Sequence, residues 1–151
     1  MKKILVLIIA IVFITSSLQA QEEKEVEKVI ASMFEGMKNK DPDLVKQSFH
    51  TDARMQTVIA GETGAILGSN SVADFINRIA TTPVGTTLDE RILDYQIKID
   101  GQMASAWTEY EFYVNDNFSH CGVNSFQLIK TSNGWKITYV IDTRRKEGCR
   151  L

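Results

Sequence analysis

The sequence predicts an α+β fold, on two observations. Residues 22–79 carry apolar residues at helical spacing in three runs, whereas everything after Leu88 alternates with the two-residue period of strands. The strand runs are separated by turn pairs, the sharpest being Asn133-Gly134. Three helices followed by a long antiparallel meander make one domain, spanning residues 21–151.

The elements follow in order. Residues 22–39 place Val26, Val29, Ile30, Met33, Phe34 and Met37 on one stripe, an amphipathic first helix. Asp41-Pro42 supplies an N-cap and a first-turn proline for a second, short helix that ends at His50-Thr51-Asp52. A strand is expected over Arg54–Ile59, then a loose hairpin around Ile66-Leu67 punctuated by Gly61, Gly64 and Gly68. Those glycines lack the Gly-Lys-Ser/Thr ending of a phosphate loop. Ser71 caps a third helix carrying Val72, Phe75, Ile76 and Ile79, which Thr81-Thr82-Pro83 stops. Four strands complete the chain: Leu88–Ile99, Met103–Val114, Phe118–Thr131 and Trp135–Thr143.

The first 20 residues read differently. Met1-Lys2-Lys3, the apolar run Ile4–Ile14 and a small residue at Ala20 form a secretory signal peptide, with cleavage expected before Gln21. The apolar run is shorter than the ~20 residues a membrane span needs, so no stable anchor is expected after cleavage. The mature chain is then periplasmic or secreted. Without Lys2 and Lys3, the 17 basic residues fall to 15 against 19 acidic, a formal charge of −4. With no basic patch interleaved with aromatics, nucleic acid is not an expected partner. Cys121 and Cys149 are the only cysteines, and an even count in an exported chain favours a disulfide between them.

Counting outward from the turns gives the expected register. A two-residue turn at Asn133-Gly134 pairs Leu128 with Tyr139, Phe126 with Ile141 and Asn124 with Thr143. Asp100-Gly101 pairs Leu93 with Thr108 and Tyr95 with Ala106. A three-residue turn at Asn115–Asn117 pairs Phe112 with His120 and Tyr110 with Gly122. On one face the rows grade from apolar (Ile97–Ala104–Leu128–Tyr139) to polar (Arg91–Tyr110–Gly122–Arg145), the mark of a cone with a closed bottom and an open mouth. By this register Asp142 lies on the outer face, and only Asp89 and Glu147 bring carboxylates to the rim.

These features resemble the nuclear transport factor 2-like superfamily, the cone-shaped barrel also found in SnoaL-like cyclases. The likeness rests on Ser48–Arg54, Gly68–Phe75, Asp89–Ile92, Phe118–Leu128 and Ile141–Arg145, and is nearest to exported bacterial members of the lumazine-binding type. It implies three N-terminal helices packed on the concave face of a strongly curved, mostly antiparallel sheet. It also implies a homodimer through the outer sheet face, where Trp107, Val123 and Val140 are the candidate interface. The superfamily holds isomerases, dehydratases, cyclases and non-catalytic modules, so it does not choose among functions.

Candidate residues come from the inner face. His120, beside Phe112, suits a general base or a ligand hydrogen bond, or else only holds the neighbouring turn. Tyr110, Thr108, Asn124 and Thr143 supply polar groups to an apolar pocket. Arg91 and Arg145 at the mouth suit an acidic ligand or are solvated edge charges. His120 and Cys121 are strand neighbours that point to opposite faces, and no metal-ligand spacing occurs; no metal or cofactor is expected. The expected function is binding of a small organic ligand without catalysis. The alternative is an isomerase, dehydratase or cyclase with His120 as base and Tyr110 or Asn124 polarising a carbonyl. A third possibility is an assembly module whose pocket is filled by its own Met33, Met37 or Phe75.

Overall fold

The computed structural model describes the backbone of residues 2–150 and the side chains of residues 18–150. The leader expected at residues 1–20 therefore lies, apart from Leu18, Gln19 and Ala20, outside the residues whose side chains are described.

Helix α1 (Lys2–Asn39) buries Val26, Ile30, Met33, Phe34 and Met37, spaced three and four residues apart along one stripe. Phe34 meets Phe126 of the sheet edge-on, with ring centroids 6.2 Å apart. Near the start of the domain, Glu22 ties α1 to the far strands. Its carboxylate pairs with Lys130 and accepts from the indole N–H of Trp135 at 3.2 Å. Lys40 ends α1 in a left-handed conformation, φ 57°. Asp41 then caps α2 (Pro42–Ser48), accepting from the Leu44 backbone N–H at 2.9 Å. Ser71 caps α3 (Val72–Ala80) in the same way, accepting from Asp74 N–H at 3.0 Å.

Six strands form one sheet: β1 (Phe49–Gly61), β2 (Gly64–Asn70), β3 (Leu88–Asp100), β4 (Met103–Val114), β5 (Asn117–Thr131) and β6 (Gly134–Arg145). Their order is β2-β1-β6-β5-β4-β3, antiparallel throughout except β1 against β6. β2 and β3 do not meet, so the cone is an unclosed, curved sheet with the helices across its hollow. The strand expected over Arg54–Ile59 starts at Phe49, directly after α2, and the loose hairpin is a regular one in which Ile59 faces Ile66.

Departures from the expected register, at the turns and within the strands, shape the interior. Asn133-Gly134 does not form a two-residue turn. Thr131 pairs with Gly134, which alone takes a left-handed φ of 88°, so the glycine closes a turn centred on Ser132-Asn133. Further along β6, Thr138 is an extra residue: Leu128 faces Ile137, but Gln127 faces Tyr139. Leu93 is likewise extra in β3, between Ile92 facing Tyr110 and Asp94 facing Glu109. Each bulge exchanges the faces of the strand beyond it. The inner row is Tyr95–Thr108–Asn124–Asp142 rather than one through Leu93 and Thr143. The bulge at Thr138 brings Asp142 inward, whereas Tyr95 faces Thr108 because the β3–β4 turn lies at Gly101-Gln102, with Asp100 facing Met103, and not at Asp100-Gly101. The next is Ile92–Tyr110–Gly122–Arg144 rather than one through Arg91 and Arg145. Between β4 and β5 the expected pairs of Phe112 with His120, Tyr110 with Gly122 and Thr108 with Asn124 all form.

Gly122 is required by space. A Cβ there would stand 1.9 Å from the Thr143 carbonyl oxygen and 2.8 Å from the Tyr110 hydroxyl, which crosses Gly122 to donate to that same carbonyl at 2.9 Å. Gly122→Ala is expected to destabilise the fold by about 2–3 kcal/mol or more, because both neighbours must move. Urea unfolding of the variant against the parent measures it; an unchanged midpoint would mean that Tyr110 does not cross at this point.

Candidate functional site

A cavity of about 220 Å³ lies between α1, α3 and the concave sheet face. Its wall is mainly apolar: Met33, Phe34 and Met37 from α1, Phe75 and Ile79 from α3, Phe112, Phe126 and Val140 from the sheet. Met33, Met37 and Phe75 line the space and leave it open. Polar groups enter from the rows that the bulges set. Glu90, two residues before Ile92 on the inner side of β3, and Asp142 on β6 both line the cavity, with Asn124 between their strands.

The amide of Asn124 donates to Glu90 Oε1 at 2.7 Å and stands 3.5 Å from Thr108 Oγ1. Burial pushes the Glu90 carboxyl up to about 8; the Asn124 hydrogen bond opposes this and nearby Asp142 adds to it. Near neutral pH Glu90 is thus largely a protonated acid, able to donate a hydrogen bond. Asp142 differs: its Oδ2 accepts from Arg144 Nε at 2.8 Å, while Oδ1 is buried with no hydrogen-bond partner. An unpaired buried acceptor costs about 1–3 kcal/mol, and more when charged, so this oxygen favours any donor brought to it. His120 packs on Phe112, ring centroids 5.0 Å apart, and its Nδ1 lies 3.1 Å from Ser119 Oγ. Burial, then the charge of Arg144, holds its pKa below the usual 6.5. Burial also raises Tyr110, so it stays a phenol.

A family model described as "Putative lumazine-binding" matches residues 21–139. The chain belongs to this family. No curated protein matches it. Among solved structures it is similar to a nuclear transport factor 2-like superfamily protein from Salmonella enterica serovar Typhimurium: 18% identity, 87% of this chain and 96% of that one covered, TM-score 0.65. It is also similar to a protein described as a putative scytalone dehydratase from Novosphingobium aromaticivorans, at 12% identity, 86% and 88% coverage and TM-score 0.67. A protein described as a putative dehydratase from Streptomyces avermitilis matches at 14% identity, 84% and 98% coverage and TM-score 0.64. At these identities the likeness is one of fold.

The fold brings together only some of the residues that the sequence singled out. Tyr110, His120 and Asn124 line the cavity. Thr108 is 0% exposed and lies beneath Asn124. Arg91, Thr143 and Arg145 do not line it. Arg91 turns outward, stacked over Tyr113 and paired with Asp89 and Asp116. Thr143 supplies its hydroxyl to the Val123 N–H and its carbonyl to Tyr110, and Arg145 sits exposed opposite Cys121. Val140, expected on the outer face, is 5% exposed and part of the cavity wall, so it belongs to no surface. Trp107 is 49% exposed on the outer face, one row from half-buried Val123. Cys121 and Cys149 have their sulfurs 2.09 Å apart. Sequence counting missed Glu90, Asp142 and Arg144, all displaced by one bulge; only the long β3 and β6 runs, each one residue longer than its partner needs, carry that signal.

Glu90 makes stability pH-dependent with a definite sign. Its folded pKa of about 8 exceeds the ordinary 4.5, so between those values the folded chain holds a proton that the unfolded chain has lost. Its contribution is full below pH 4.5 and is lost as pH rises towards 8, at up to about 1.4 kcal/mol per pH unit. His120, lowered in the fold, acts in the opposite sense, losing stability as pH falls. Urea midpoints from pH 5 to 8 should therefore fall more steeply for the parent than for Glu90→Gln. Parallel curves would mean that Glu90 is ionised in the fold.

Proposed function

We propose that this chain is an exported, single-domain binding protein for a small heterocyclic or carbonyl-bearing molecule, acting without chemistry. The observation that carries the reading is the Glu90–Asn124–Asp142 cluster set in an otherwise apolar cavity: a protonated acid beside a carboxylate with an unpaired oxygen. Such a pair offers one donor and one acceptor to an edge that has both, as a cyclic imide does, while the Met and Phe walls take a flat ring. The family description points to the same class of molecule.

Export is supported by the leader pattern and by the family match beginning at residue 21, where that leader ends. The pairing of Cys121 with Cys149 fits an oxidising compartment. A homodimer through the outer face would use Trp107 and Val123, with no part for Val140.

Lumazine, which is fluorescent, supplies the test by titration. Saturable binding is expected, weakened about tenfold by Asn124→Ala, since one net hydrogen bond of about 1.4 kcal/mol corresponds to that factor. Absence of saturable binding, or equal affinity in the variant, would move the site away from this cluster.

A second reading has its own support. Two carboxyl groups held in different protonation states are the usual arrangement for proton transfer next to a carbonyl. Asp142 would then take the proton and Glu90 would donate to the oxygen, with His120 as the neutral neighbour. Tyr110 is a poor oxyanion donor here because its hydroxyl proton is already given to Thr143. This reading requires turnover of the bound molecule, whereas the first requires its recovery unchanged.

A further inference from the structure

From the charges along the cavity wall we infer that its ligand is an organic anion: an apolar body carrying a carboxylate or similar group that pairs with Arg78. This rests on the binding reading above and adds the ligand's charge. Arg78 lies in the last turn of α3 and lines the cavity, as does Arg144. Arg144 is neutralised by Asp142. Arg78 makes no ion pair among the described residues, unlike Arg91 with Asp89 and Asp116, and Arg150 with Glu109. Asp74, one helical turn before Arg78, accepts instead from the Ser71 hydroxyl at 2.7 Å. The cavity wall thus carries a guanidinium without a counter-charge, on the α3 side of a space whose deep polar group is Glu90 with Asn124. A guanidinium at the exposed edge of apolar walls pairs with carboxylate oxygens through parallel N–H donors, while the walls take the apolar body. The mouth arginines that the sequence suggested, Arg91 and Arg145, are thereby replaced by one from α3.

The test uses two probes of the same shape, 2-naphthoate and 2-naphthamide, titrated calorimetrically into the full mature chain at low salt. The naphthoate is expected to bind roughly tenfold or more tightly than the amide. Arg78→Gln, which leaves a polar side chain at an exposed helix position, should bring that ratio close to one. Arg54→Gln, at an exposed position outside the cavity, should keep it and so exclude a general effect of net charge. Equal affinities in the parent, or a preference that survives Arg78→Gln, would overturn the inference while leaving the binding reading intact. If neither probe binds at millimolar concentration, the pocket reading fails and the inference fails with it.

Discussion

A strand presents alternate residues to opposite faces, so one unpaired residue exchanges every side chain beyond it. Leu93 in β3 and Thr138 in β6 are such residues, and the interior depends on them. Without the first, Arg91 rather than Glu90 would turn inward. Without the second, Thr143 and Arg145 would take the places of Asp142 and Arg144. The deepest apolar floor, Ile97, Ala104, Ala106, Leu128 and Ile137, lies on the near side of both bulges and would be the same in either case. The polar chemistry at the top of the cone, and the inward turn of Val140, are set by them.

That chemistry is costly to maintain in an apolar space, and the surrounding residues compensate for it. Glu90 avoids the charge by keeping its proton and accepts one amide hydrogen from Asn124. Asp142 shares the charge of Arg144 through one oxygen only. Gly122 leaves room for Tyr110 to reach the carbonyl of Thr143, locking β4 to β6 across β5 just where the rows become polar. The cluster is thus held on strands rather than loops, which suits a site that must keep donor and acceptor in fixed relation. Binding alone explains that order; proton transfer would use the same groups.

Much of this was legible in the sequence, and the rest was not, for physical reasons. The helices declare themselves by stripe and cap: Val26 to Met37, Asp41-Pro42 and Ser71 each do what their spacing says. The β4–β5 register comes out as counted although the turn is not the three-residue one expected. Asn115 and Asp116 alone form it, with left-handed φ values of 52° and 60°, and an extra residue at Ser119 makes up the difference. That pairing places Tyr110, His120 and Asn124 inside, as counting requires. Asn133-Gly134 misleads because the same two residues serve a turn that ends on the glycine as well as one centred on the pair. The bulges are hidden more deeply. Neither Leu93 nor Thr138 is glycine or proline, and an extra residue in a long alternating run looks like continued alternation. Hence Glu90, Asp142 and Arg78 emerge only when the strands and α3 are set against each other in space.

The polar end of the cavity turns on Glu90 facing inward and holding its proton there. Carbon-13 NMR of the side-chain carboxyl groups, assigned by comparison with Glu90→Gln, reads it directly. The Glu90 resonance is expected to titrate near pH 8. A midpoint near the ordinary 4.5 would put the carboxylate in water, remove the bulge at Leu93 from its role, and contradict the site described.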